Sequence, residues 1–399
     1  MTGTTKYRLE SIDIIRGLVM VIMVLDHMRD YFHIGANLDD PLNLDTTTYF
    51  LFFTRWITHY CAPVFVLLSG TSIYLQSLRK SKNELGLFLI KRGIWLICLE
   101  LFVVSFAWTF NPQYNIIPFQ VIWAIGISMF ILGILVMIRL SDKLILLIGI
   151  ILVAGHNLMD IPESSPDFQS TFWWDMIHHG VFALYPFAQN HSILLVYPFA
   201  AWTGVMILGY SAGKIFSSSY SSPKRQKILK QTGFALITIF ILLRFSNIYG
   251  DPAKWSIQNT WSYTLLSFIK ITKYPPSLLY LCITLGPTSI LLALAENWKN
   301  RYTDMLIVFG RTALFFYIIH LYLIHFLAAI SFFITGHTWE QVSMEGAKYP
   351  FLFVVPGEGY GLGVVYLLSI VVVIGLYPLC RWYNSYKINN KEKWWLSYL

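Results

Sequence analysis

Charge is scarce in this chain. Asp, Glu, Lys and Arg make up 13% of its 399 residues, while 56% are hydrophobic. Soluble globular chains carry roughly 25% charged residues, so the shortage excludes an ordinary soluble domain and indicates a polytopic membrane protein. Cysteine is scarce too. Cys61, Cys98, Cys282 and Cys380 fall in or beside separate apolar runs, with neither disulfide nor metal-ligand spacing. That excludes a disulfide scaffold and leaves them as packing residues. No small-residue cleavage site follows the first apolar run, although Lys6 and Arg8 precede it, so the first span is expected to be retained. An internal repeat and a second, soluble domain are both missing, and residues 1–399 read as a single integral-membrane domain. The net charge of +8 does not imply nucleic acid, because the basic residues sit in alternate short loops.

What is present is a series of about ten apolar segments, each near the roughly 20 residues that cross a bilayer. They cover residues 12–32, 52–77, 87–107, 117–139, 142–159, 193–216, 231–249, 275–295, 303–333 and 360–383. The ninth is long enough to be tilted or broken. Lys6 and Arg8, Arg79 to Lys82, Arg139 and Lys143, Lys224 to Lys227, Lys299 and Arg301, and the tail from Arg381 to Lys393 all fall on one side. The pattern predicts an all-α bundle with both termini cytoplasmic. The opposite loops, residues 33–50, 160–191 and 334–359, are longer and hold carboxylates, histidines and aromatics. Long loops on one face commonly carry function. The plainer reading of Trp173 and Trp174 there is as interfacial anchors.

The first span is the exception to the shortage of charge. "IDIIRGLVMVIMVLDHMRDYFH" holds Asp13, Arg16, Asp26, His27, Arg29 and Asp30. Arg16 and His27 are eleven residues apart, which on a helix returns to within roughly 20° of one face after a rise of about 16 Å. Charges inside a span normally face a bundle interior or a wet cavity. Asp13 is placed to hold Arg16, and Asp26 or Asp30 to orient the imidazole of His27. The plain structural alternative makes Asp13–Arg16 an end pair and Asp26–Arg29–Asp30 an exposed cap. A guanidinium and an imidazole on one stripe suit a long acyl-thioester donor, with His27 as base or transient acyl carrier at its reactive end.

"SIDIIRG", the histidine eleven positions after its arginine, and then "APVFVLLSGTSIYL" resemble the opening of the transmembrane acyltransferase superfamily. The closer resemblance is to bacterial relatives of the heparan-alpha-glucosaminide N-acetyltransferase catalytic domain. It extends through "IIPFQVIWAIGISM", "YPFAAWTGVMILGYSAG", "KYPPSLLYLCITLGP" and "GRTALFFYIIHLYLIH", and so covers nearly the whole chain. It implies transfer of an acetyl group from cytosolic acetyl-CoA to a sugar or glycan hydroxyl or amine at the outer face of a bacterial inner membrane. There is one departure. The lysosomal members that resemble "SIDIIRG" have an asparagine near the position of His27, and their proposed catalytic histidine lies in the first outward loop. Here that loop offers His33 and, beside the second span, His59.

Catalysis is therefore assigned to His27 with Asp26 and Asp30, donor binding to Arg16 and Arg311, and acceptor binding to His59, His320 and Trp174. On a straight helix Arg311 and His320 would face opposite sides. Neither His320 with His325, five apart, nor His178 and His179 beside Asp175 makes a clean metal motif, so no metal is expected. "SGTS" at Ser69 to Ser72 allows close approach of a helix or ligand, Lys91 and Arg92 snorkel to the cytoplasmic surface, and Glu100 needs a buried partner. The expected partners are acyl-CoA, a glycan acceptor and the lipid bilayer, with a homodimer left open. Two other classes fit a polytopic chain: a transporter of a small polar solute, and a haem or quinone protein with histidines facing across helices.

Overall fold

The computed structural model describes residues 9–36, 38–178, 182–342 and 350–397. Lys6, Arg8, His179 and residues 343–349 lie outside them. The elements run in chain order as α1 (Glu10–Phe32), α2 (Tyr49–Thr58), α3 (Cys61–Ser77), α4 (Lys82–Leu99), α5 (Ser105–Thr109), β1 (Ile116–Phe119), α6 (Val121–Met137), α7 (Asp142–Ala154), α8 (Asp160–Glu163), α9 (Phe172–Ile177), β2 (Ala183–Ala188), β3 (His191–Leu195), α10 (Phe199–Ala212), α11 (Ser222–Ser246), α12 (Trp261–Ile269), α13 (Leu278–Ala295), α14 (Arg301–Arg311), α15 (Ala313–Ile334) and α16 (Leu362–Asn389). A π-helical turn, Glu100–Val104, joins α4 to α5.

Among the described residues five helices are long and apolar enough to cross a membrane: Tyr49–Ser77, Ser222–Ser246, Leu278–Ala295, Ala313–Ile334 and Leu362–Asn389. The pair Asp142–Ala154 and His156–Glu163, bent by 42°, makes a sixth if it is one span. α1 is long enough as well, but its apolar run is interrupted by charge. The long ninth segment is broken, because Thr312 leaves helical geometry at φ −115, ψ 27, between α14 and α15.

The expectation of an all-α chain is corrected by a three-stranded sheet, ordered β1-β3-β2. β1 runs parallel to β3, pairing Ile116 with Ser192, and β2 returns antiparallel, pairing Ala183 with Leu195. The spans expected over 117–139 and 193–216 begin instead as strand, in β1 and β3. A short apolar run beside a longer one cannot be assigned to strand or helix by hydropathy. These strands carry Pro118 and Leu194 to the functional cavity described below.

α1 lies at the centre, against α2, α3, α13, α14, α15 and α16. Two glycines set its closest crossing. A Cβ on Gly17 would stand 1.9 Å from the Leu306 carbonyl oxygen, and one on Gly310 would stand 2.0 Å from that of Asp13. Only hydrogen side chains permit α1 and α14 to touch backbone to backbone. Gly70, in the "SGTS" run, plays the same part against Met206 of α10.

Two further buried polar groups, Glu100 and Arg244, have partners. Glu100 accepts from the Trp123 backbone N–H at 2.9 Å, which caps the start of α6. Arg244 donates to the carbonyls of Ala253, Ser267, Phe268 and Lys270, and so ties the segment after α11 to the bundle. All four cysteines are free.

Candidate active site

Two cavities meet at the middle of α1. The stripe Arg16, Met20, Met23, His27 follows the i, i+4, i+7, i+11 spacing of one helix face, and it passes from one cavity into the other. The cavity on the Arg16 side, called inner below, is about 550 Å³ and is lined by Arg16 and Met20 and by the cations Arg92, Arg311, Lys387 and Lys391; among the described residues no Asp or Glu lines it. Arg92 was expected to snorkel to the surface. It lines this cavity.

Arg16 is held by Ser72 Oγ at 2.9 Å and by Asp13 at 3.5 Å. Asp13 also holds Arg311 Nε at 3.2 Å. One carboxylate thus fixes two guanidiniums contributed by α1 and α14. Ser69 and Ser72 line the same space, so the small run serves both helix packing and the cavity.

The outer cavity, about 340 Å³, is lined by Asp26, His27, Arg29, Asp30, Arg55, Thr58, His59, Trp108, Lys273, Tyr274 and Tyr317, among others. His27 is buried. Its Nδ1 lies 2.7 Å from Nε2 of His320, and the two rings are nearly parallel at 5.0 Å. His320 Nδ1 lies 2.9 Å from the Phe316 carbonyl oxygen. A carbonyl only accepts, so we assign the His320 proton to Nδ1, which makes its Nε2 the acceptor for the Nδ1–H of His27. The Nε2 lone pair of His27 remains as the free end of this chain, edge-on to Trp108 at 4.8 Å between ring centres. The chain breaks at Thr312 between α14 and α15; Arg311, before the break, lines the inner cavity, and His320, after it, meets His27.

Several sequence expectations change here. Asp26 does not bond His27. It accepts from Arg55 Nη1 at 2.8 and 2.7 Å on its two oxygens and from Thr58 Oγ1 at 2.8 Å. Arg29 Nη1 stands 2.8 Å from it, an ion pair without hydrogen-bond alignment. Asp30 takes Arg29 Nη2 at 2.5 Å. The exposed cap of the plain reading is therefore a largely buried ionic network beside the imidazole. His59 lines the outer cavity, edge-on to Tyr280 at 5.4 Å. His320 lines neither cavity and is the imidazole behind His27. Trp174 also lines neither; its Nε1 is bonded to Glu163 at 2.6 Å. Arg16 and His27 do not share one open channel: Met23, Phe65, Val121 and Tyr317 line both cavities and form the wall between them.

Arg55, Thr58, Lys273, Trp108 and Tyr317 were missed. Arg55 carried the same signal as Arg16, a cation inside an apolar run. Lys273 stood in plain view in "TKYPPS". The aromatic residues carried no signal, since the sequence is full of them.

Among the described residues one group has metal-like spacing: Asp160, Glu163 and His178, with ligand atoms within 4.8 Å of one another. It lies outside both cavities, and its groups already bond one another and their neighbours. His178 Nε2 is 2.8 Å from Asp160, and Asn157 and Trp174 donate to the carboxylates. Asp175, expected beside it, instead accepts from Ser170 and from the Tyr185 hydroxyl. Burial and that carboxylate push the Tyr185 hydroxyl up to about 12.

A family model described as heparan-alpha-glucosaminide N-acetyltransferase, catalytic, matches residues 8–245, more than half of the chain. The chain belongs to this family. The N-acetyltransferase family implies a membrane enzyme of the acetyltransferase kind, as the resemblance of the opening motifs implied. The matched region includes Arg16, Asp26, His27, Asp30, Arg55, His59 and Trp174. Lys273, Arg311 and His320 lie beyond it and join the site through the fold. No curated protein matches the chain. His27 and His320 face each other across helices but cannot share a haem, since their nitrogens at 2.7 Å leave no room for a porphyrin between them.

Proposed function

We propose that this membrane enzyme moves an acetyl group from cytosolic acetyl-CoA to an amine or hydroxyl of a sugar or glycan at the outer face. The reading includes ten membrane segments, both termini in the cytosol, and residence in a bacterial inner membrane. It rests on one observation above the rest, the α1 stripe that runs from five cations in the inner cavity to a histidine with a free nitrogen in the outer one.

Arg16 and Arg311, with Arg92, Lys387 and Lys391, take the phosphates of the donor; guanidiniums favour such groups through charge-assisted, bidentate hydrogen bonds. The pantetheine arm lies along α1 toward the wall. Movement of Met23, Phe65, Val121 or Tyr317 admits the thioester to His27. The acceptor occupies the outer cavity. Its nitrogen or oxygen attacks the thioester carbonyl carbon while His27 Nε2 takes the proton, and the CoA sulfur leaves and recovers that proton. His320 keeps the imidazole in the tautomer that can accept. Asp26 and Asp30 hold Arg29 and Arg55 in place beside it.

The test is acetyl transfer from labelled acetyl-CoA to glucosamine by purified protein in lipid nanodiscs. His27→Ala is expected to lose about 10²–10⁴-fold in kcat, the range of general-base catalysis, while CoA binding persists. Full turnover by His27→Ala refutes the assignment. A carrier would also place two cavities either side of a thin wall. Counterflow of a labelled solute in liposomes, without thioester cleavage, would favour that second reading.

A further inference from the structure

The outer cavity holds one cation more than its buried carboxylates can balance. Asp26 and Asp30 are matched by Arg29 and Arg55. At the rim Asp40 and Lys270 add one charge of each sign. Lys273 is left over. It is 92% buried, being 8% exposed, and lines the cavity. Among the described residues it forms no ion pair. Its ammonium stands 5.0 Å from the centre of the Tyr274 ring and 6.0 Å from that of Tyr197. Such faces steady a cation without neutralising it.

The position of Lys273 is built. The preceding residue, Thr272, donates to Asp251 through both its backbone N–H and its hydroxyl, each at 2.9 Å, and Ser277 Oγ donates to the same carboxylate at 2.7 Å. Burial pushes the Asp251 carboxyl up. Lys273 therefore sits in a turn pinned on both sides, and it lines the same cavity as His27 and Asp26. A buried ammonium without a carboxylate is costly. It is useful where negative charge appears only during a reaction.

We propose that Lys273 is a catalytic residue that stabilises the oxyanion formed when the acceptor attacks the thioester carbonyl beside His27. This rests on the acetyl-transfer reading above. As the new carbon–nitrogen or carbon–oxygen bond forms, the carbonyl electron pair moves to oxygen and the ammonium faces it. The pair returns when the carbon–sulfur bond breaks. His27 carries the proton from acceptor to departing sulfur, so Lys273 gains and loses none.

The test is steady-state kinetics of wild type, Lys273→Met and Lys273→Arg in nanodiscs, with acetyl-CoA and glucosamine, alongside CoA binding. The expected result for Lys273→Met is a kcat lower by about 10²-fold, the scale of a lost oxyanion donor, with the KM values and CoA affinity kept within about twofold. Lys273→Arg, which keeps the charge, is expected to recover at least tenfold of that loss. If Lys273→Met does not fold, the arginine variant decides, since a merely structural lysine gives no kcat-specific change in a folded protein. An unchanged kcat overturns the proposal. A raised KM for glucosamine at unchanged kcat also overturns it, and makes Lys273 a binding group for the acceptor. Absence of turnover in wild type overturns the acetyl-transfer reading and this proposal with it, whereas turnover insensitive to Lys273 overturns the proposal alone.

Discussion

Asp26→Ala is the perturbation that best separates the ionic network from the imidazole. The carboxylate accepts two hydrogen bonds from Arg55 and one from Thr58, and it forms an ion pair with Arg29. Arg29 is 2% exposed and Asp26 7%, so solvent can do little to replace these contacts. Breaking one partner from such a buried arrangement typically costs 3–5 kcal/mol, because charge remains without its counter-ion. Asp26→Ala should therefore lose about 3–5 kcal/mol in equilibrium unfolding in mixed micelles. Removing the opposing charge as well relieves part of that penalty. The double variant Asp26→Ala/Arg55→Met should be more stable than the sum of the two single losses predicts, with a coupling of about 1.5–3 kcal/mol. Strict additivity, or an Asp26→Ala protein as stable as wild type, would refute the reasoning and return Asp26 to the role of a solvated cap.

Other expectations follow from the same geometry. His320→Leu removes the acceptor of the His27 Nδ1–H, so kcat should fall by about 10²-fold while the KM for acetyl-CoA stays put; equal kcat would mean the dyad is only packing. Arg311→Met should raise the KM for acetyl-CoA by about tenfold, as loss of a charge-assisted contact does, and the effect should shrink as salt screens the remaining cations; an unchanged KM at low salt would remove Arg311 from donor binding. Gly17→Ala should abolish folded protein on size-exclusion chromatography, because its Cβ would overlap the Leu306 carbonyl at 1.9 Å; a monodisperse, active Gly17→Ala protein would show that α1 and α14 can separate.

Much of the site was legible in the sequence for one physical reason. Charge is costly in a bilayer, so a charge inside an apolar run signals an interior position. That rule found Arg16, Asp26, His27 and Asp30, and it would have found Arg55. The eleven-residue spacing then placed Arg16 and His27 on one face, since both belong to a single unbroken helix. The rule was silent on Trp174, which its hydrogen bond to Glu163 removes from the cavities, and on the strands, whose apolar runs are too short to declare a period.

The sequence by itself determined a mostly helical, membrane-type chain, a charged first helix and the stripe along it, because hydropathy and helical period are local properties. Only the tertiary structure decided which groups meet. It set His320 of α15 behind His27 of α1, gave Asp26 to Arg55 instead of the imidazole, brought Lys273 to the cavity, and inserted a wall between the two cavities. Each of these joins residues far apart along the chain, and no local period records the distance between two helices.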